Sequence, residues 1–224
     1  MSIPVGLIGL PLRHALYDAL RTHAILQAGQ VARGGYPGEG GGRPGEPESV
    51  AAIARAVIRL HDAEAIPSLA SVLWVGPHVS REIVRLGEPG VLLIADSAEA
   101  AMTQSRTGVQ TSHAQLLGYL IALRIAVEDT TTRHLSPGAL ARLRTLARAG
   151  LTPGGLADAT GLVINRIVDL AVALDDGELR TSVERLSSDR NVAAALGAAN
   201  AGTIAGIQAA ARERLAGVPA RPRP

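Results

Sequence analysis

Residues 152–174, TPGGLADATGLVINRIVDLAVAL, decide how this chain is read. The segment carries what two short crossing helices need. Thr152 stands as an N-cap with Pro153 at the first helical position. Ala157 is a small residue placed where the two helices cross. Gly161, four residues later, sits at the turn, where a left-handed backbone favours glycine. Leu162, Ile167 and Leu170 are placed to anchor the pair to a core. The reading is a helix-turn-helix with its second helix starting near Val163.

Working outward, Asp176-Gly177 is a turn dipeptide and Leu179-Arg180 reads as the start of a strand. The charged segment 178–196 then reads as a hairpin. Ser188-Asp189-Arg190-Asn191 forms its tip, and Val192 to Leu196 returns as the second strand. On the other side, SPGALARLRTLARA (136–149) is a helix. TSHAQLLGYLIALRIAVEDT (111–130) is the longest one, about 30 Å by helical rise. Leu116, Leu117, Leu120, Leu123, Ile125 and Val127 make it apolar around much of its circumference, which predicts burial. A last helix is expected over about 200–215, followed by a disordered tail at 217–224.

Composition bounds the classes. Hydrophobic residues make up 47% of the 224, and aromatics only 2%, so the core must be Leu, Val, Ile and Ala. Such a core suits packed helices. Cysteine is absent, which excludes disulfides and thiolate chemistry. No apolar run approaches the roughly 18 residues of a membrane span, and Met1 to Leu12 lacks a basic leader region, so a cytoplasmic protein without membrane association is expected. Every cation is Arg. Residues 1–110 hold nine against ten acids, and residues 111–224 hold thirteen against ten. Attraction to a polyanion therefore belongs to the second half.

The run LSPGALARLRTLARAGLTPGGLADATGLVINRIVDLAVALDDGELR (135–180), then SSDRNVAAALGAANAG (187–202), resembles the multiple-antibiotic-resistance regulator (MarR) family. The likeness runs helix, helix-turn-helix, wing, closing helix, over about residues 111–216. Asp189-Arg190 falls where that family places its wing-tip Asp-Arg, and Ala201-Gly202 matches the start of its closing helix. The resemblance implies a mainly α, winged helix-turn-helix fold with small β-wings, dimerisation through terminal helices, and cavities that bind small aromatic effectors.

The first half repeats the outline. Residues 11–32 read as a helix, 34–47 as a Gly/Pro loop, and 48–62 as a helix. In IPSLASVLWVGPHVSREIVRLGEPGVLLI (66–94) two short helices precede a strand at Val91–Ile94. The expected architecture is a tandem pseudo-dimer in one chain: a degenerate winged-helix half at 1–110, and a second at 111–216 sharing the helix 111–130. The chain is expected as a monomeric pseudo-dimer or as a homodimer.

Function follows as an expectation: a DNA-binding transcriptional regulator controlled by a small apolar or aromatic ligand. Asn165, Arg166, Arg185 and Arg190 would contact bases and phosphates of double-stranded DNA, with Arg81 and Arg85 on the first half. His14, Tyr17, His113 and Tyr119 are the candidate ligand-binding residues near the seam. No cofactor or metal is expected, because the histidines lack ligand spacing with carboxylates. No nucleophile elbow or phosphate loop appears, so enzyme activity is not expected from a motif. The alternative is a scaffold that has lost DNA binding and holds a small molecule, or acts as an enzyme, in the cavity between its lobes. Val163 and Ile164 at the start of the recognition helix, Asp169 within it, and the small net charge motivate that alternative.

Overall fold

Apolar residues spaced three and four apart build every long element of this chain. The computed structural model describes residues 10–32, 46–60, 63–73, 83–84, 87–105, 110–128, 135–157, 159–189, 196 and 203–217. In chain order these form α1 (Leu10–Ala32), α2 (Glu46–Ile58), a 3-10 turn (Ala63–Ala65), α3 (Ile66–Ala70), α4 (Glu88–Ser105) and α5 (Gln110–Glu128). Then come α6 (Pro137–Leu151), α7 (Pro153–Ala157), α8 (Gly161–Ala173), α9 (Gly177–Ser188) and α10 (Ile204–Ala216).

Among the described residues there is no strand. The winged helix-turn-helix with small β-wings, and the tandem pseudo-dimer built from two such halves, are therefore corrected to an all-α fold. The first part of the wing expected at 178–196 is α9 over Gly177–Ser188, while residues 190–195, expected as its tip and most of its returning strand, lie outside the described residues. Asp176 caps it, accepting from the backbone N–H of Glu178 at 3.1 Å and Leu179 at 3.2 Å. Leu179, Val183 and Leu186 are buried at helical spacing. Thr181 and Ser182 return their hydroxyls to the carbonyls of Gly177 and Glu178, four residues back. Asp189 ends the helix as its C-cap.

The strand expected at Val91–Ile94 lies inside α4. A four-residue apolar run does not distinguish helix from strand. The residues after it do: Val91, Ile94, Ala95, Ala98 and Ala101 are buried on one helical face.

The two central helices are α5 and α8. The first packs against α1, α4 and α8, and the second against α5, α6, α9 and α10. On α5, Leu116, Leu120, Ala122 and Leu123 are almost fully enclosed. On α8, Val163, Ile164, Ile167, Val168, Leu170 and Ala171 are each at most 1% exposed. Burying each large aliphatic is worth roughly 1.5–3 kcal/mol, so α8 is held chiefly by its interior face.

The helix pair at 152–174 is present with different contacts. Thr152 accepts from the backbone N–H of Gly155 at 3.1 Å, which caps α7. Thr160 caps α8 by accepting from Val163 N–H at 3.4 Å. Ala157, expected at the crossing, is exposed, and Leu162, expected as an anchor, is 63% exposed. The close approaches are made by glycines instead. A Cβ on Gly155 would stand 2.3 Å from the carbonyl oxygen of Ala149. A Cβ on Gly150 would meet Ile167, which sets the distance between α6 and α8.

Two polar ties join the halves of the chain. Glu88, first residue of α4, accepts from both the backbone N–H and the hydroxyl of Ser136, each at 2.8 Å. Ser136 in turn caps α6 through Ala139 N–H at 3.2 Å. One turn along, Arg142 reaches Asp96 at 3.0 Å and also bonds Glu99, so α4 and α6 are pinned side by side.

Candidate functional site

Positions 14, 17, 18 and 21 follow one another at i, i+3, i+4 and i+7, a single face of α1. His14, Tyr17, Asp18 and Arg21 line a half-open cleft of about 240 Å³, closed on its far side by Glu64 of the 3-10 turn. Tyr17 is buried, and the other four side chains are largely exposed. The His14 and Tyr17 rings stand 6.2 Å apart at 47°. His14 Nε2 lies 3.8 Å from Glu64 Oε2, and Arg21 Nη1 lies 3.6 Å from Asp18 Oδ1.

The lining brings the Asp18 and Glu64 carboxylates to the same space as the Arg21 guanidinium. The volume is below the ~300–1,000 Å³ of drug-sized sites. A space of that size with polar lining suits a compact polar guest.

The other two residues expected at a ligand site are not part of this cleft. Tyr119 is buried on α5, 8% exposed, and burial pushes its hydroxyl pKa up. His113 lies on α5, and its side chain falls outside the described residues. Sequence reasoning passed over Arg21 and Glu64. Arg21 was signalled by its i+7 position, whereas Glu64 comes from a separate element and had no local signal.

The residues expected to touch DNA are described only in part. Arg81, Arg85 and Arg190 lie outside the described residues. Arg185 is exposed on α9. Arg166 bonds Asp169, with Nη1 2.8 Å from Oδ2. Asn165 is half-buried, and its Oδ1 has no hydrogen-bond partner. Val163 and Ile164, read as exposed aliphatics on a recognition helix, are interior at 1% and 0%.

Much of the remaining positive charge is also answered locally. Arg144 faces Asp176 at 3.3 Å, Arg148 faces Glu178 at 2.8 Å, and Arg180 faces Glu184 at 3.4 Å.

Asp169, read as a residue that would repel phosphate, proves to be a hub. Its side chain is 3% exposed and receives Arg166 from its own helix, Arg124 from α5 at 3.6 Å, and Arg214 from α10. A carboxylate buried midway along an apolar helix requires such compensation. Arg166 at i−3 was the visible half of it.

Among the described residues, no group of three or more His, Asp or Glu is placed to hold a metal ion, and no helix is long and apolar enough to cross a membrane. No family model, curated protein or solved structure matches the chain.

Proposed function

We propose that this chain is a helical small-molecule-binding protein that receives a compact cationic ligand in the α1 cleft. The observation that carries the reading is the convergence of His14, Tyr17, Asp18 and Arg21 with Glu64 around one half-open space with two carboxylates in its lining. An ammonium group there meets the Asp18 and Glu64 carboxylates. The polar lining favours a charged guest over the apolar or aromatic one expected from the sequence.

Two observations support this reading over DNA recognition. A helix that enters the major groove presents an exposed face to base edges. Here the face of α8 holding Val163, Ile164 and Ile167 is interior. The position expected for a basic wing is occupied by α9, whose Arg180 pairs with Glu184.

The test is a titration of the full chain, followed by backbone amide shifts, with three molecules of similar size: ethanolammonium, ethylene glycol and glycolate. The reading expects saturable shifts around His14–Arg21 and Glu64 for the amine alone, weakened at least several-fold in Asp18→Asn. Equal response to the neutral glycol overturns it. So does saturable binding of random duplex DNA with a steep loss on added salt, without any amine effect.

A further inference from the structure

Away from the α1 cleft, three guanidinium groups from three helices meet at one carboxylate. Arg124 of α5, Arg166 of α8 and Arg214 of α10 are 40%, 37% and 29% exposed, while the Asp169 side chain they share is 3% exposed. Arg166 and Arg124 both face Oδ2, at 2.8 and 3.6 Å, and Arg214 bonds Oδ1. Glu128 accepts from Arg124 Nε at 2.8 Å. Among the described residues, three positive charges thus meet two negative ones.

Hydrogen bonding shows the same imbalance. Three guanidiniums offer about fifteen N–H donors. Their described acceptors are the two Asp169 oxygens, Glu128 Oε1 and the carbonyl of Ala210, which takes Arg214 Nη1 at 3.1 Å. The three side chains remain about a third exposed, so solvent reaches the heads that carry the donors left over. Asp169 fixes those heads from beneath, which removes most of the entropy that a free arginine loses on gripping an anion.

A second observation concerns Asn165, one helical turn before Asp169 and on the same face of α8. Its Oδ1 is buried and has no partner. A buried amide oxygen without a donor is costly, and each such atom asks for an explanation. A ligand that brings both an oxyanion and a hydroxyl supplies one. Inorganic phosphate at neutral pH does so, because it keeps a P–OH beside its charged oxygens, whereas a simple carboxylate does not. If the amide is turned the other way round, its NH₂ donates to the same oxyanion.

We propose that Arg124, Arg166 and Arg214, held in place by Asp169 and flanked by Asn165, form a binding site for inorganic phosphate. This site is separate from the cleft on α1 and does not depend on what that cleft binds.

The experiment measures the Tm of the full chain against inorganic phosphate, with acetate and chloride at matched ionic strength. Phosphate is expected to raise Tm saturably, by about 5 °C at a hundred times its Kd, and the other anions are not. Arg166→Gln is expected to weaken phosphate by roughly tenfold, the loss of one charge-assisted hydrogen bond. Asn165→Ala is expected to weaken phosphate and to leave acetate and chloride without effect. Arg185→Gln, on the exposed side of α9, is expected to change nothing. Line broadening of the ³¹P resonance on the unaltered chain gives the same answer without any variant, should Arg166→Gln fail to fold. Parallel responses to phosphate and chloride overturn the proposal, as does undiminished phosphate binding in a folded Arg166→Gln chain. Saturable binding of a short duplex that Arg166→Gln abolishes, without free phosphate binding, also overturns it and assigns the arginines to a nucleic-acid backbone.

Discussion

Gly150 and Ile167 meet where α6 crosses α8. A Cβ on Gly150 would lie 2.9 Å from Cδ1 and 3.0 Å from Cγ2 of Ile167, which is itself 1% exposed. The missing side chain of one residue is the space occupied by the other. Gly150→Ala is expected to destabilise the protein by about 1–3 kcal/mol despite the better helix propensity of alanine, because the added methyl overpacks a closed contact. Ile167→Val, which removes the offending Cδ1, should recover part of that loss in the double variant. Urea unfolding of the four chains measures it, and strict additivity would show that the two residues do not touch.

Gly155 makes a harder contact. Its Cβ would fall 2.3 Å from the Ala149 carbonyl oxygen and 2.8 Å from that of Gly150, both backbone atoms that cannot rotate away. Gly155→Ala is expected to cost about 3 kcal/mol, the upper end for an overpacked site, with no neighbouring side-chain truncation able to rescue it. A thermal melt showing less than a degree of change would contradict the tight α6–α7 corner.

Asp169 is expected to be the most sensitive charge in the described structure. Asp169→Asn leaves Arg124, Arg166 and Arg214 facing one another without their shared anion. Losing one partner of a fully buried pair costs about 3–5 kcal/mol. Because the guanidiniums here are about a third exposed, roughly 2–3 kcal/mol is expected after solvent screening. Removing one arginine as well, in Asp169→Asn with Arg214→Gln, should restore stability relative to Asp169→Asn alone. A further drop in denaturant midpoint in the double variant would count against the hub.

The Glu88–Ser136 tie gives a pH dependence of known sign. Two hydrogen bonds from Ser136, the backbone one first, hold the Glu88 pKa below its ordinary value of 4.5. A depressed carboxylate contributes stability that is complete above 4.5 and fades as pH falls through the lower folded pKa. The stability difference between the natural chain and Glu88→Gln should therefore be largest near neutrality and shrink below pH 4.5. Denaturation midpoints at pH 7 and pH 3.5 check this; a difference that grows on acidification would reverse the assignment.

Asp176 separates capping from ion pairing. It caps α9 and also faces Arg144 at 3.3 Å and Arg148 at 3.7 Å. Asn caps a helix about as well as Asp, and Ala does not. Asp176→Asn should cost no more than about 1 kcal/mol, the worth of partly exposed pairs. Asp176→Ala should cost about 1 kcal/mol beyond that. Equal losses in the two variants would deny the cap.

Helices were legible in this sequence wherever the apolar period ran long. The buried helix 111–130 appears as α5, Gln110–Glu128. The helix 136–149 appears as α6, Pro137–Leu151. The errors fell on short or charged segments. In 178–188 the Leu179, Val183, Leu186 period was present but outweighed by an Asp-Gly turn and a family outline; here Asp176 caps a helix instead of closing a hairpin. At Val91–Ile94 four aliphatics in a row carried no period, and the alanines beyond them held the answer. Side-chain fates across elements were not legible. Nothing local places Glu64 opposite His14, or Arg124 and Arg214 around Asp169. The α1 face of His14, Tyr17 and Asp18 was legible because helical spacing alone assembles it.

The account stands on α8 being an interior helix with another helix, not a β-wing, beside it. Backbone chemical shifts with amide exchange across residues 161–189 test this most directly. Helical Cα shifts through 177–188, with the amides of Val163 to Leu170 among the slowest to exchange, are predicted. Extended shifts at Leu179–Ser182 together with rapid exchange along 163–170 would contradict it.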